Sequence, residues 1–383
     1  MYNRLLKMPL AKSKKSILLL GPRQVGKSTL IKSLKPDLEI NLANEKEFFL
    51  FQTELSELER RIEASKARVV FVDEIQRIPR ITNTIQVLLD ENKGLKFYLT
   101  GSSARKLRKG KANLLPGRIL SYSMSPLCLE ELGGDWDEEH GMRFGFLPEV
   151  QGIKTDVDKK KYLQSYSHSY LKEEIMAEAL VRQVDGFVRF LSAASLEAGR
   201  FLDFSKLSKK SKVPRQSGVR HFEILEDTLI ASKVENDPDI DPEQVDLVKH
   251  PRFYFFDLGV LNALRGTFEF NKEREGFLFE HLVYNQIVNS AHAYDKTYSI
   301  CNFRTRGGLE VDFILNMEGK KVAIECKSSE SVGSDDIRSL RELDRYYKGL
   351  EKLVIYRGRR ELKDGKIWIL PLKKALQVLD LAQ

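Results

Sequence analysis

The sequence predicts an α/β protein of several domains, beginning with a domain built on a parallel sheet. Three observations predict this class. An apolar run, Ile17 to Leu20, leads into a glycine-rich turn and then a helical pattern. A second apolar run ends in the acid pair Asp73-Glu74. Near the end, "GLEVDFILNMEGKKVAIECKSS" reads as two strands joined by a turn at Glu318-Gly319. The length of 383 residues suits two or three domains.

Composition narrows the partners and the compartment. The net charge of +8 favours a polyanionic partner, either nucleic acid or an acidic membrane surface. The three cysteines, Cys128, Cys301 and Cys326, form no CxxC pair, which argues against a disulfide framework or a zinc site and favours a reducing cytoplasm. No apolar stretch has the length of a signal-peptide core or of a membrane span, so we expect a cytoplasmic protein that does not engage a membrane.

The glycine-rich turn has the spacing of a phosphate-binding loop. Gly21, Gly26, Lys27 and Ser28 fit G-x-x-x-x-G-K-[ST] between a predicted strand and a predicted helix. Backbone N–H groups would wrap the phosphates at the helix N-terminus, Lys27 would reach the β- and γ-phosphates, and Ser28 would hold Mg²⁺. The predicted ATP-binding residues are Gly21, Gln24, Val25, Gly26, Lys27, Ser28, Thr29 and Asp73.

The acid pair predicts what happens to the bound nucleotide. Asp73 would support the Mg²⁺ through water, and Glu74 would orient and deprotonate the attacking water. A "DE" pair after a strand is ordinarily only a solvated strand end. It becomes a specific signal of nucleotide hydrolysis because a phosphate loop precedes it in the same chain. The pair therefore favours ATP hydrolysis over a small-molecule kinase.

Polar residues after the next apolar run supply further candidates. "LKFYLTGSS" should lie between the phosphate-loop strand and the Asp73 strand, so that Ser102, with Thr100 and Ser103 beside it, could sense the γ-phosphate. A Ser/Thr turn capping a helix is a compatible alternative. Arg118 is the candidate arginine finger toward a neighbouring subunit's ATP, with Arg105 and Arg108 as rivals and a plain surface arginine as the alternative.

The middle of the chain carries a basic helix-turn-helix pattern. Pro214 suits the first turn of a second helix, whose apolar face would hold Phe222, Leu225 and Leu229. A solvated basic surface is the alternative to nucleic-acid contact. Acidic residues from Glu235 to Asp246 predict a solvent-facing loop. The predicted DNA-binding residues are Lys206, Lys209, Lys210, Lys212, Arg215 and Arg220, joined later in the chain by Arg304 and Arg306.

Charged residues in the two C-terminal strands predict a metal site. Side chains alternate along a strand, so Asp312, Glu325 and Lys327 would converge on one side of the paired strands. Glu280 interrupts an apolar helical stripe in the same way. Hard oxygen ligands suit Mg²⁺ or Mn²⁺, so Glu280, Asp312 and Glu325 are the predicted ligands, and Lys327 would position water. Ordinary salt bridges on a charged strand edge are the alternative.

These motifs resemble a known protein family. "GPRQVGKST", "VFVDEIQ", "TGSS", "LPGRI" and "GFLPEV" are similar to landmarks of a bacterial and archaeal AAA+ ATPase family fused to a nuclease-like domain. The resemblance implies a helical lid, a winged helix with "HPRFYFFDLGV" as a wing strand, and a restriction-endonuclease-like domain of the PD-(D/E)xK type. Such a domain can also persist as a binding platform with little cleavage.

The sequence therefore predicts a domain order and a function. We expect an AAA+ core at 1–125, a helical lid at 126–182, a winged-helix DNA-binding domain at 183–268 and a nuclease-like domain at 269–383. The expected protein hydrolyses ATP, binds and remodels or translocates on DNA, including branched or forked DNA, and forms a homo-oligomer such as a hexameric ring, with metal-dependent cleavage left open. The alternative is a nucleotide-dependent switch or a defence or regulatory ATPase whose C-terminal domain binds nucleic acid without cutting it.

Overall fold

A computed structural model describes residues 2–91, 94–102, 117–134, 136–170, 184–240, 245–248, 250–347 and 349–383. The chain divides into two compact units. The first comprises Met1–Leu127, Asp227–Ile230 and His292–Asp295, and the second comprises Cys128–Glu226, Ala231–Ala291 and Lys296–Gln383. Among the described residues, every helix is too short or too polar to span a membrane.

The first unit is built on a five-stranded parallel sheet. Its strands are β1 (Ser16–Leu20), β2 (Leu38–Asn41), β3 (Val69–Asp73), β4 (Lys96–Gly101) and β5 (Ile119–Ser123). They lie in the order β2-β3-β4-β1-β5. The prediction that β4 lies between β1 and β3 is confirmed. Because all five strands run in one direction, the segments that follow β1, β3 and β4 emerge at the same edge of the sheet.

Helices cover this sheet and supply its core. Phe51, Leu58 and Ile62 pack with the β3 residues Val70 and Val72 in one apolar cluster. The side chain of Asn44 caps the helix Glu45–Thr53, which contributes Phe51 to this cluster. The helices of the first unit are Lys7–Lys12, Lys27–Lys32, Glu45–Thr53, Glu57–Ser65 and Ile81–Glu91, with a 3₁₀ turn at Ile75–Arg77.

The second unit opens with helices that are fixed by a buried carboxylate. Asp257 caps the helix Leu258–Leu264 and also accepts a hydrogen bond of 2.6 Å from the backbone N–H of Phe146. Gly145 has a φ of +68°, and a Cβ there would lie 2.1 Å from an Asp257 oxygen. Gly145 in the "GFLPEV" segment therefore cannot be replaced by a residue with a side chain without disturbing Asp257. The helices up to this point are Leu129–Leu132, Glu138–Phe144, Pro148–Gly152, Asp156–Ser165, Val184–Glu197, Phe204–Ser211, Arg215–Asp227 and Leu258–Leu264, with a π turn at Tyr166–Tyr170.

The basic segment forms two helices followed by a small sheet. Phe204–Ser211 ends at Lys212, whose φ is +53°, and Arg215–Asp227 begins directly after Pro214. Two antiparallel strands follow, β6 (Ala231–Val234) and β7 (Arg252–Phe255). The sequence pattern correctly located both helices and the β7 strand, while their assignment as a winged helix stays a prediction.

The C-terminal sheet is mixed and six-stranded. Its strands are β8 (Tyr298–Arg304), β9 (Glu310–Met317), β10 (Lys320–Lys327), β11 (Glu351–Tyr356), β12 (Leu362–Asp364) and β13 (Ile367–Pro371), in the order β12-β13-β11-β10-β9-β8. The hairpin predicted at Glu318-Gly319 is confirmed, with φ values of +50° and +92° at its turn. The helices beside this sheet are Lys272–Ala293, Arg338–Glu342 and Leu372–Val378, with a 3₁₀ turn at Leu343–Arg345.

The acidic segment before β7 does not simply face solvent as predicted. Asp237 is only 3% exposed. It accepts hydrogen bonds from Lys321 at 2.7 Å and from the Tyr347 hydroxyl at 2.7 Å. The prediction was wrong at this residue because a lysine and a tyrosine far along the chain satisfy its charge. Asp241 and Glu243 lie outside the described residues.

Candidate functional sites

The phosphate loop follows β1 directly and ends at the helix Lys27–Lys32. Gly21 is enclosed so tightly that a Cβ would lie 2.1 Å from the Met124 carbonyl oxygen, and Gly26 has a φ of +97°. Both positions therefore require glycine. The Lys27 side chain is buried, and its Nζ donates hydrogen bonds of 2.8 Å to the carbonyl oxygens of Gly21 and Pro22.

The other predicted ATP-binding residues lie in this loop or directly beside it. Gln24 has a φ of +62°, and Val25 is fully buried. Thr29 follows Ser28 in the first turn of the helix Lys27–Lys32. The structure therefore brings the predicted loop residues together at one helix N-terminus, where backbone N–H groups favour an anion.

Asp73 is held at the end of β3 by two neutral hydroxyl groups. Its Oδ1 accepts a hydrogen bond of 2.9 Å from Ser28 Oγ and a short one from Thr100 Oγ1. Asp73 is 7% exposed and Thr100 is fully buried. A hydroxyl and a carboxylate placed together in this way fit Mg²⁺, for which Ser28 and Asp73 would supply hard oxygen atoms.

Glu74 belongs to a second network at the same sheet edge. Its backbone is left-handed, with a φ of +58°. Gln76 Nε2 donates to a Glu74 carboxylate oxygen and, at 2.9 Å, to Ser102 Oγ. Ser102 Oγ in turn donates to Glu74 over 3.3 Å. The structure therefore brings Ser102 to Glu74, while the action of these residues on one phosphate stays a prediction.

Sequence reasoning missed Gln76, which is 2% exposed and holds the Glu74 carboxylate. The available signal was its position in "VDEIQ", two residues after the acid. The packing is tight, because a Cβ on Gly101 would lie 2.9 Å from Gln76 Oε1. Gln76 is thus a positioning residue for Glu74.

Arg118 lies just before β5, where it forms an ion pair with Asp90. Its side chain is 38% exposed. Its role as an arginine finger stays a prediction. The rivals Arg105 and Arg108, together with Ser103, lie outside the described residues.

The C-terminal carboxylates converge as the alternation of the hairpin predicted. Asp312 on β9 accepts a hydrogen bond of 2.9 Å from the backbone N–H of Cys326 on β10. Lys327 Nζ donates to Glu325 Oε1 over 2.9 Å. Burial, followed by the charge of Asp312, raises the pKa of Glu280 to about 7 and that of Glu325 to about 8. The carboxylates therefore form one electrostatic cluster of largely desolvated acids.

Arg252 is the residue of this cluster that sequence reasoning missed. Its Nη1 lies 3.1 Å from Glu280 Oε1 and 3.6 Å from Asp312 Oδ1, and its Nη2 is in close contact with Glu310. Tyr254, two residues along β7, donates its hydroxyl to Glu280. The signal was the alternation in "RFYFF", which places Arg252 and Tyr254 on the same face of a strand.

The fit of these side chains to a divalent cation depends on free oxygen atoms and on their placement. Glu325 Oε2 is buried without a hydrogen-bond partner, which leaves one oxygen for a cation. In the described part of the chain, however, no three His, Cys, Asp or Glu side chains are placed to coordinate a metal ion. A guanidinium already lies between Glu280 and Asp312. The side chains as arranged therefore do not fit Mg²⁺ or Mn²⁺, and the ligand role of Glu280, Asp312 and Glu325, with Lys327 beside them, stays a prediction.

Arg252 also lines a basic pocket of about 430 Å³. It brings together Lys206 from the first basic helix and Arg304 from β8, which are far apart in sequence. The guanidinium groups of Arg252 and Arg304 each lie 5.1 Å from the centre of the Phe201 ring. The pocket is lined by Glu197, Gly199, Arg200, Phe201, Asp203, Lys206, His250, Arg252 and Arg304.

The remaining predicted DNA-binding residues are distributed over the two helices and the β8–β9 turn. Lys209, Lys212, Arg215 and Arg220 are exposed. Lys206 and Lys210 both form ion pairs with the buried Glu197. Arg306 lies 3.2 Å from Asp246, so an acidic residue partly offsets its charge. The geometry therefore favours Lys206 and Arg304 as the pair that shares one site.

The sheet, the phosphate loop and the acid pair define a P-loop nucleotide-binding α/β domain. Residues 13–133 match the family model described as an AAA domain. Residues 137–271 and 275–375 match two further models, each described as a domain of unknown function (DUF8612 and DUF4143). The N-terminal unit is therefore an AAA-type domain, which implies nucleotide binding.

Similar proteins occur in distant organisms. The uncharacterized protein Rv2008c of Mycobacterium tuberculosis is 21% identical over 332 residues, covering 82% of this chain and 70% of the relative. The uncharacterized protein MJ1544 of Methanocaldococcus jannaschii is 21% identical over 363 residues, covering 87% of this chain and 78% of the relative. The similarity thus extends over both units of the chain.

Two solved structures have a weak similarity to this chain. The replication initiator DnaA bound to AMPPCP and single-stranded DNA gives a TM-score of 0.28 at 11% identity, covering 58% of this chain and 85% of that one. A type III CRISPR defence DNA nuclease activated by cyclic oligoadenylate gives a TM-score of 0.22 at 14% identity. The match covers 96% of this chain and 54% of that one.

Proposed function

We propose that this protein is an AAA+-type ATPase that binds DNA and couples ATP hydrolysis to its remodelling. The observation that carries the proposal is the meeting of two side-chain networks at one edge of the parallel sheet. Ser28 and Thr100 hold Asp73, while Gln76 and Ser102 hold Glu74. One network suits the metal-bound phosphate and the other suits the attacking water.

The residues of this edge have distinct roles in hydrolysis. Lys27 exchanges its two loop carbonyls for phosphate oxygens when a nucleotide binds. Ser28 and Asp73 would hold Mg²⁺, which when bound supplies charge neutralisation at the β- and γ-phosphates. Glu74 accepts the proton of the attacking water, and Gln76 and Ser102 keep its carboxylate in place. Arg118, from a neighbouring copy in a ring, is the proposed arginine finger.

DNA is proposed to contact the second unit at the basic pocket. Lys206 and Arg304 line it together, and Arg200 and Arg252 add two further cations. The exposed Lys209, Lys212, Arg215 and Arg220 would extend this surface along the two basic helices, and the proposed motif is a winged helix. Since phosphate contacts dominate nucleic-acid affinity, this set favours backbone binding over base reading.

The decisive measurement is the steady-state ATPase rate with and without a panel of duplex, forked and junction DNA. We expect at least one DNA to stimulate the rate, and Lys27→Ala to abolish both basal and stimulated turnover because the phosphates lose their ammonium partner. ATPase activity that no nucleic acid alters would overturn the DNA part of the proposal and favour a nucleotide-dependent switch. An Arg304→Ala variant with unchanged ATPase but a shallower salt dependence of DNA binding would support the pocket. Lys320→Ala, an exposed lysine at the far end of β10, is its matched control.

Metal-dependent phosphodiester cleavage is a second candidate function of the C-terminal domain, and it would require Arg252 to be displaced from its position between Glu280 and Asp312. The observation that favours it is the unpartnered, buried Oε2 of Glu325 beside Lys327. Incubation of labelled DNA with Mg²⁺ or Mn²⁺ tests it, with Asp312→Ala as the control. Binding without cutting under either metal would leave a binding platform.

A further inference from the structure

We propose that Arg252 is the resident cation of the C-terminal acid cluster, and that its removal would convert the cluster into a binding site for a hard divalent cation such as Mn²⁺. The inference rests on the contacts within the second unit and does not depend on ATP hydrolysis or DNA binding.

Arg252 is held firmly by the backbone and by an aromatic ring. It lies on β7, where it pairs with Val234, and it also forms a β-bridge with Phe201. Its guanidinium lies over the Phe201 ring, and the residue is only 8% exposed. A side chain held on both sides in this way cannot leave the cluster without losing packing as well as ion pairs.

One guanidinium reaches carboxylates from two different elements. Nη1 lies within 3.1 Å of Glu280 on the long helix and 3.6 Å of Asp312 on β9. The other terminal nitrogen contacts Glu310, at the start of β9. Arg252 therefore occupies the position between the helix acid and the strand acid, where a metal ion would have to lie to bind both.

The charges of the cluster are close to balanced while Arg252 is present. Four carboxylates, Glu280, Glu310, Asp312 and Glu325, face three cations, since Arg304 lies 3.1 Å from Glu310 and Lys327 lies 2.9 Å from Glu325. Removal of Arg252 leaves the four carboxylates with two cations. The resulting set of mostly buried oxygen atoms has the chemistry that hard divalent cations bind. In the native chain, by contrast, a metal ion would have to displace a buried and paired guanidinium, which is costly.

The test is Mn²⁺ binding to the nucleotide-free full chain, followed by the electron paramagnetic resonance signal of free Mn²⁺. An Asp73→Asn background removes metal binding at the phosphate loop. We expect Arg252→Met to bind one Mn²⁺ at least about tenfold more tightly than the parent, which corresponds to about 1.4 kcal/mol. Adding Asp312→Asn should abolish that gain.

Arg304→Met is the matched control, because it removes the same charge beside the same Glu310 but leaves the Glu280–Asp312 position filled. Equal Mn²⁺ affinity in the parent and in Arg252→Met would overturn the proposal, and so would an equal gain in Arg304→Met. If Arg252→Met does not fold, Arg252→Lys keeps the positive charge but has a single donor group. Mn²⁺ should then raise the Tm of Arg252→Lys and not that of the parent; the absence of this difference would equally overturn it.

Discussion

The two acid sites differ in the charge of the groups that hold their carboxylates. At the phosphate loop, Asp73 is held by the neutral hydroxyls of Ser28 and Thr100. In the C-terminal cluster, Glu280 and Asp312 meet the guanidinium of Arg252. Neutral donors fix a carboxylate while leaving its negative charge available to an incoming cation, whereas a guanidinium neutralises that charge. Similar motifs in sequence can therefore end in sites with different capacities for metal.

A third buried carboxylate, Asp257, shows how burial changes a pKa when only backbone N–H groups hold the side chain. Asp257 is fully buried and is held by backbone N–H groups, including those of Phe146 and Val260. Its pKa is raised to about 6 because desolvation outweighs these hydrogen bonds. Backbone amides thus orient a carboxylate without fully compensating for its burial.

The largest expected effect is on the ATPase rate, which should depend on Glu74 at the phosphate loop and not on Glu325 in the C-terminal cluster. Glu74→Gln should lower the ATPase rate by about 1000-fold, because the attacking water loses its base, while nucleotide binding is retained. Glu325→Gln is the matched change in the other site and should leave the ATPase rate unchanged. Steady-state turnover and fluorescent-nucleotide binding check both variants. A Glu74→Gln rate within threefold of the native rate would remove Glu74 from the proposed mechanism.

The next effect concerns stability. Asp312→Asn should lower the free energy of unfolding by about 3 kcal/mol, since Arg252 loses one of its buried anionic partners. Asp73→Asn should cost less, because an amide oxygen can still accept hydrogen bonds from the two hydroxyls. Urea unfolding of both variants measures the difference. Equal losses would mean that the partner's charge does not distinguish the two sites.

Asp257 predicts a pH dependence of about 2 kcal/mol. The folded pKa of about 6 lies above the ordinary value of 3.8, so the stability contributed by this group is fully present below 3.8 and is lost as the pH rises through 6. Asp257→Asn should remove a loss of about 2 kcal/mol between about pH 4.5 and pH 7.5. Asp203→Asn, at the exposed cap of the helix Phe204–Ser211, is the control for replacing a capping aspartate, and it should retain the loss that Asp257 causes.

The smallest effect tests the neutral donor itself. Thr100→Val removes the buried hydroxyl that bonds to Asp73 and to the Glu74 backbone but keeps the shape of the side chain. We expect about a tenfold loss of ATPase rate, or about 1.4 kcal/mol, from a less well-oriented acid pair. A rate equal to native would show that Ser28 alone holds Asp73 in its working position.

Local patterns in the sequence were sufficient where the chemistry follows the chain. The phosphate loop, the acid pair at the end of β3 and the hairpin at Glu318-Gly319 are all continuous segments. The position of β4 between β1 and β3 was predicted from the class of sheet that the phosphate loop indicates. The convergence of Asp312 with Glu325 and Lys327 follows from strand alternation.

Ion-pair partners that are distant in the sequence could not be predicted from local patterns. Arg252 reaches Glu280 from 28 positions away, and Lys321 reaches Asp237 from 84 positions away. Such pairs depend on how strands and helices pack, and no local period encodes that packing. Gln76 lies only two residues after Glu74 in the sequence. A glutamine at that position nevertheless indicates no function until its hydrogen bond to Ser102 is known.

The hydrogen bonds of Lys27 with its own loop have a consequence for the shape of that loop. Its ammonium group donates to the carbonyl oxygens of Gly21 and Pro22, so it ties the start of the loop to the helix that follows. A substitution at Lys27 therefore removes two contacts that hold the loop together as well as a positive charge.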